Sequence, residues 1–185
     1  MLSLMLENIT IRPASSDDVQ AIAQLSIQTF QDTFATEENK ADTDLYLENA
    51  FSIQQLETEL SDRHNTFLLA YADGAEDPVG YAKLRLGKKA SCITAFNPIE
   101  LERLYVDKHV IGEGLGSRLM QACLNRADAQ NHDVLWLGVW EHNQRAIRFY
   151  AKWKFVTVGS HLFKLGNEQQ TDLIMQRFVV GGDGG

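Results

Sequence analysis

The chain has 185 residues, 44% of them hydrophobic, 9% aromatic and 23% charged, which describes an ordinary globular protein large enough to bury a core without disulfides or metals. Its 17 basic against 25 acidic residues give a formal net charge of -8, which argues against general partnership with nucleic acid or an anionic membrane. The acidity is uneven: residues 1–92 carry 7 Lys/Arg and 15 Asp/Glu, whereas residues 93–185 carry 10 of each.

In chain order, the opening segment lacks the basic flank and long apolar run of a signal peptide, and no apolar stretch approaches membrane-spanning length. Cys92 and Cys123 show no CxxC or CxxH spacing. A cytoplasmic location is therefore expected.

Ile9–Arg12 alternates and meets Pro13, a short first strand. Ser15–Asp18 is a cap cluster, followed by Val19, Ile22, Ala23, Leu25 and Ile27 at helical spacing, with Phe30 and Phe34 lying past the end of that helix. Residues 35–44 read as an acidic loop, and helical pieces follow at about 44–50 and 52–61, the second capped by Ser52. From Phe67 the period changes: strands are expected at 67–71, 79–86 and 99–106. A helix over about 116–130 carries the apolar ladder Leu115, Leu119, Cys123 and Ala127. Val134–Val139 reads as a central strand, 144–153 as a short helix, and 155–161 and 172–179 as closing strands. The result is one mixed α/β domain over 1–180, with 181–185 a flexible glycine-rich tail.

The segment from Ile111 to Ser117 places Gly112, Gly114 and Gly116 between a strand and a helix. Glycine permits positive φ, so backbone N–H groups can converge on an anion at a helix N-terminus, and a phosphate or pyrophosphate is the natural occupant. Ser117 stands where a dinucleotide fingerprint needs glycine, and no Walker A sequence follows. A tight turn serving chain geometry alone is the competing reading.

This segment resembles the coenzyme A pyrophosphate loop of the GNAT superfamily of N-acyltransferases, whose Arg/Gln-x-x-Gly-x-Gly/Ala pattern is met at Gly114 and Gly116 and departed from at Ile111. A second block resembles the family's Asn-x-x-Ala-x-x-Phe-Tyr-x-x-x-Gly-Phe signature at Asn143, Ala146, Phe149, Tyr150 and Phe155. Lys154 stands there in place of glycine, which suggests a modified helix-to-strand turn. Within the superfamily, Trp136–Asn143 and Gln170–Met175 resemble PaiA-like spermidine/spermine N-acetyltransferases.

The resemblance implies a mostly antiparallel twisted sheet of about six or seven strands flanked by about four helices, splayed at the strands before the glycine loop and before Asn143. It implies acetyl-CoA as cosubstrate and a small cationic amine as acceptor. Dimers are common in that family, so a homodimer joins the implied partners. For the coenzyme it implies Leu104, Tyr105, Val106, Ile111, Gly112, Glu113, Gly114, Leu115, Gly116, Ser117, Asn143 and Lys152; Asn143 equally suits a helix cap. Tyr150 is the implied acid for the departing thiolate, or a packed aromatic. A base is implied among Glu102 and Glu100, which period 2 puts on one strand face, with Glu102 nearer the splay; a solvated strand face, with a water chain to backbone carbonyls as the base, is the competing reading. Phe30, Phe34 and Trp140 are expected at the acceptor entrance, where core packing competes for the two phenylalanines. Asp32, Glu37, Glu38, Asp42 and Asp44 are charges that a polyamine favours. No histidine pair has metal-ligand spacing and no G-x-S-x-G occurs, so neither a metal nor a covalent mechanism is expected. Acetylation of protein N-termini or lysines, and non-catalytic coenzyme binding, stay open beside the polyamine reading.

Overall fold

Seven strands form one sheet in the order β1-β2-β3-β4-β5-β7-β6. The computed structural model describes residues 8–36, 39–165 and 167–179, so the opening segment, Glu37, Glu38 and the glycine-rich end lie outside the described residues. The strands are β1 Ile9–Pro13, β2 Asn65–Ala72, β3 Gly80–Arg85, β4 Pro98–Val106, β5 Val134–Trp140, β6 Val156–Leu165 and β7 Glu168–Phe178. The helices are α1 Val19–Phe34, α2 Lys40–Ala50, α3 Ile53–Ser61, α4 Leu115–Ala129 and α5 Gln144–Lys152.

Every neighbouring pair of strands is antiparallel except β4 and β5. That parallel pair is short: it runs from Pro98 and Val134 to Glu100 and Trp136 and then stops. Beyond it the two strands part, and β4 shows an unpaired edge to the gap. This is the splay that the resemblance implied, between the strand before the glycine loop and the strand before Asn143.

One core lies on the α4 side of the sheet. The i, i+4 ladder Leu115, Leu119, Cys123 and Ala127 is wholly buried against Leu84, Leu101, Leu135 and Leu137. The opposite face packs α1, α2 and α3 through Ile22, Phe30, Leu47, Phe51 and Leu56 against Phe67, Leu69 and Tyr81.

Two helix boundaries differ from the sequence expectation. Helix α1 continues through Phe34, so Phe30 and Phe34 belong to it. The Thr29 and Thr33 hydroxyls, which compete for backbone groups elsewhere, here bond back to the carbonyls of Leu25 (2.7 Å) and Thr29 (2.8 Å) without breaking it. Helix α2 starts at Lys40 and not near residue 44, because Asn39 closes the preceding turn, its Oδ1 accepting from the Thr36 N–H at 2.7 Å. With α2 and α3 separate, five helices flank the sheet where about four were expected.

Lys154 corrects a third expectation. It adopts φ +66°, the left-handed conformation normally given to glycine, so the turn keeps its shape. The Lys154 N–H donates to the Ala151 carbonyl and the Phe155 N–H to the Tyr150 carbonyl, the paired bonds of a Schellman ending. The rings of Tyr150 and Phe155, 5.7 Å apart, supply the hydrophobic contact that accompanies it.

Candidate active site

A cleft of about 840 Å³ opens at the splay and passes from one face of the sheet to the other. On the α4 side its wall is the glycine turn. Gly112 (φ +92°) and Gly114 (φ +84°) use the backbone freedom that the sequence promised, and a Cβ on either would meet nothing within 4 Å. Among the described residues, the N–H groups of Gly112, Gly114, Leu115, Gly116 and Ser117 donate to no other group. These open donors sit at the positive end of α4, so the residues present fit a pyrophosphate. Ile111 lends its exposed apolar side chain to the wall where the family has a hydrogen-bonding one. Gly116 brings α4 against α5, its Cβ position 3.6 Å from the Phe149 ring.

The cleft collects most residues that the sequence singled out. Leu104, Tyr105, Val106, Ile111, Gly112, Gly114, Gly116, Ser117, Asn143 and Lys152 line it, as do Tyr150, Glu100, Glu102, Phe30, Phe34 and Trp140. Glu113 and Leu115 do not. Glu113 points to solvent, and the Leu115 side chain is core at 1% exposure, so only its backbone faces the turn. Asn143 serves as N-cap of α5, its Oδ1 accepting from the Ala146 N–H at 3.1 Å, while also lining the cleft.

Tyr150 packs on the α4 side beside Phe149 and Phe155. Among the described residues its hydroxyl makes no hydrogen bond. Burial, assisted by Cys123, holds its pKa well above the ordinary phenol range, so it keeps its proton at neutral pH.

The two glutamates of β4 are held differently. Lys83 pairs with Arg103 across the strands and Leu84 with Leu101, which leaves Glu102 as the extra residue of a β-bulge. The bulge breaks the strict alternation that the sequence suggested: Leu101 and Leu104, three apart, both enter the α4-side core, while Arg103 turns to the other face. There, three acids and three bases close on one another. Glu102 pairs with Lys83 and with Arg85 (2.6 Å); Glu100 takes Arg85 at 2.7 Å; Glu59 of α3 takes Arg103 and Lys83 at 2.8 and 2.9 Å. Burial raises the pKa of Glu100 despite Arg85. Burial also opposes ionisation of Glu59, but Arg103 and Lys83 outweigh it and hold its pKa below the usual range.

On the α1–α2 side the walls are aromatic. Phe34 lies 4.6 Å from Phe30 and 6.1 Å from Trp140, and Tyr46 lies 4.7 Å from Phe30 and 5.7 Å from Phe163. Tyr46, Phe163, Arg85, Arg145, His161 and Asp172 line the cleft without having been singled out as site residues. The residue pattern carried a signal for Asp172, a lone acid opening the apolar run Leu173–Met175. The others come from separate elements that only folding brings together.

The acidic residues proposed to attract a polycation are partly engaged. Asp32 pairs with Lys108 at 2.8 Å, Asp44 with Lys40 at 3.8 Å, and Asp42 accepts from the Asn167 N–H at 2.7 Å. Among the described residues no group of three or more His, Cys, Asp or Glu is gathered as a metal site, and no helix is long and apolar enough to cross a membrane.

A splayed sheet with an open N–H cradle on one face and an aromatic chamber on the other is the build of an acyl-group transferase. The family model of the acetyltransferase (GNAT) family matches residues 20–155, and the chain belongs to that family. It is thereby an acetyl-CoA-dependent acyltransferase. An uncharacterized N-acetyltransferase of Lactobacillus delbrueckii subsp. lactis is 30% identical over 175 residues, 95% of this chain and all of the relative. A probable spermine N(1)-acetyltransferase of Bacillus subtilis subsp. natto is 30% identical over 80 residues, 43% of this chain and 53% of that one. Among solved structures, the PaiA N-acetyltransferase of Thermoplasma acidophilum in complex with coenzyme A has TM-score 0.70 at 21% identity, covering 92% of this chain and 99% of that one. The ribosomal-protein-alanine N-acetyltransferase of Brucella melitensis has TM-score 0.70 at 22% identity over 91% and 99%. Two of these proteins are named for an acceptor, spermine in one and ribosomal-protein alanine in the other.

Proposed function

We propose that this acetyltransferase modifies a primary amine of a small polycation of the spermidine or spermine type, by direct attack with donor and acceptor bound together. The observation that carries the reading is the through-sheet cleft: the pyrophosphate cradle opens on one face and the aromatic chamber on the other, so two substrates can approach the splay from opposite sides. Bound acetyl-CoA supplies an activated acyl group and a thiolate leaving group. The open N–H groups from Gly112 to Ser117 hold its pyrophosphate, and Lys152 and Arg145, which line the same cleft, add positive charge. The unpaired edge of β4 at Leu104–Val106 offers backbone partners to the extended arm. Phe30, Phe34, Tyr46, Trp140 and Phe163 suit an alkylammonium chain, which gains from aromatic faces and from exclusion of water. The partial match to a probable spermine acetyltransferase supports the same acceptor class.

Tyr150 donates a proton to the departing sulfur, since its hydroxyl is protonated and has no competing partner. Glu102 and Glu100 stand at the splay but are neutralised by Lys83 and Arg85, so they set the local field more readily than they accept a proton.

The test is thiol release from acetyl-CoA with spermidine, spermine, amino acids, aminoglycosides, a lysyl peptide and an N-terminal alanyl peptide. Spermidine or spermine should give the highest kcat/KM. A peptide preferred over both moves the reading to protein acetylation, and coenzyme binding without thiol release for any amine removes the catalytic reading. Tyr150→Phe should lower kcat by about 100-fold with little change in KM for acetyl-CoA; an unchanged kcat overturns the acid role.

A further inference from the structure

The face of β5 that looks into the aromatic chamber has a gap in it. Gly138 is exposed although its strand lies inside the sheet, the mark of a place where something approaches the backbone closely. The nearest atom to its missing Cβ is Asp172 Oδ2, at 3.4 Å. Asp172 stands opposite Trp140 in the β5–β7 register and opposite His161 in the β6–β7 register, so all four residues share this face.

Asp172 differs from the other carboxylates of the cleft. Glu100 and Glu102 are held by guanidinium or ammonium groups at ion-pair distance. Asp172 accepts no hydrogen bond from any described residue. The nearest basic side chain to it is His161, whose Nε2 is 3.9 Å away, beyond hydrogen-bond reach. Its side chain is 16% exposed, whereas that of His161 is 45% exposed and reaches water. A secluded carboxylate with free lone pairs, walled by Trp140 and backed by an imidazole at the mouth, is built to receive a proton and release it outward.

We propose that Asp172 is the group that takes the proton from the incoming ammonium, with His161 passing that proton to water. The proposal rests on the amine-acetylation reading above. The acceptor arrives as R–NH3+. One proton moves from nitrogen to the Asp172 carboxylate, leaving R–NH2 with a free electron pair. That pair forms the new C–N bond while the C–S bond breaks. The second surplus proton of nitrogen ends on sulfur by way of Tyr150, and the first leaves Asp172 through His161. Two protons leave nitrogen, one is retained on the thiol and one reaches solvent, so the step needs no further reactant.

The titration of Asp172 agrees with this task. Burial raises its pKa to about 6, with His161 pulling the other way. The groups facing it are His161 on β6, Trp140 on β5 and, from α2, Tyr46, whose own ionisation Asp172 opposes. At neutral pH the carboxylate is mostly ionised, and its pKa lies near the working pH, where a general base is effective.

Two measurements test it on the full chain. The first follows the Asp172 side-chain carboxyl by carbon NMR without acetyl-CoA. It should titrate near 6, and adding the best acceptor of the amine panel should move that value down, as an adjacent ammonium favours the carboxylate. A midpoint near the ordinary aspartate value, or one the amine leaves unmoved, overturns the proposal. The second is kinetic. Asp172→Asn should lose about 100-fold in kcat/KM for that amine and lose the acid limb of the pH profile, with coenzyme A binding unchanged. His161→Gln should lower the rate about tenfold and shift the limb. Glu102→Gln should keep the limb in place. An Asp172→Asn enzyme with the wild-type limb overturns the assignment, and so does disappearance of the limb in Glu102→Gln. A panel won by a peptide revises the polyamine reading while the same measurements on that peptide decide Asp172.

Discussion

Lys154 and Asp172 are two residues kept against their own conformational or electrostatic preference. Lys154 holds a left-handed backbone at the end of α5, where an L side chain costs about 1–2 kcal/mol and glycine costs nothing steric. Lys154→Gly should therefore stabilise the fold by about 1 kcal/mol, seen as a Tm rise of about 2–4 °C. A loss of stability would mean that the lysine side chain holds the turn. At Asp172 the sign follows from a folded-state pKa raised from 3.8 to about 6. Below both values the group is protonated in either state and contributes nothing. As pH rises through this window the folded state retains a proton that the unfolded chain releases, so stability falls, and above it the burden is complete. Asp172→Asn should then gain about 1–3 kcal/mol in urea unfolding near pH 7.5 and about nothing near pH 3. An equal gain at both would assign the effect to packing.

At the scale of elements, the buried ion network ties α3 to the centre of the sheet. Glu59 reaches from α3 to Arg103 and Lys83, both almost fully buried, and Arg103 also lies over the Phe51 ring at 4.9 Å. Removing the acid leaves two buried cations short of a partner, which is far costlier than the pair is favourable. Glu59→Gln should destabilise the protein by about 3–5 kcal/mol in equilibrium denaturation. A change below about 1 kcal/mol would mean that water reaches the cations. The same network explains why the carboxylates of β4 were attractive from sequence yet occupied in the structure. Period 2 places Glu100 and Glu102 on the strand, but their partners Lys83 and Arg85 come from β3, and the bulge at Glu102 depends on how the two strands register.

For the whole molecule, the charge asymmetry survives in a tempered form. Residues 1–92 hold the excess acid, but Asp32, Asp44 and Glu59 are already paired with cations. What is left acts at long range, as steering more than as local recognition. The KM for spermidine should accordingly rise several-fold between about 0.02 and about 0.2 M salt, and that for a monoamine should rise less, measured by steady-state thiol release. Equal salt dependence for the two would remove the acidic surface from acceptor binding.

Local chemistry determined much of this from sequence alone. The alternation of β3, and of β4 as far as its bulge, marks their faces, the apolar runs of β2 and β5 mark buried strands, the ladder from Leu115 to Ala127 marks the buried stripe of α4, and the glycines mark a turn with open N–H groups. Each depends on neighbours within a few residues, and the structure returns each with small shifts of boundary. Tertiary structure alone decided what the site's charges are free to do. Whether Glu102 has a lone pair to spare depends on Lys83 and Arg85, and whether Asp172 meets a glycine or a side chain depends on the pairing of β7 with β5. Such contacts join residues tens of positions apart, and their energies arise from burial and pairing that exist only once the sheet has closed around the splay.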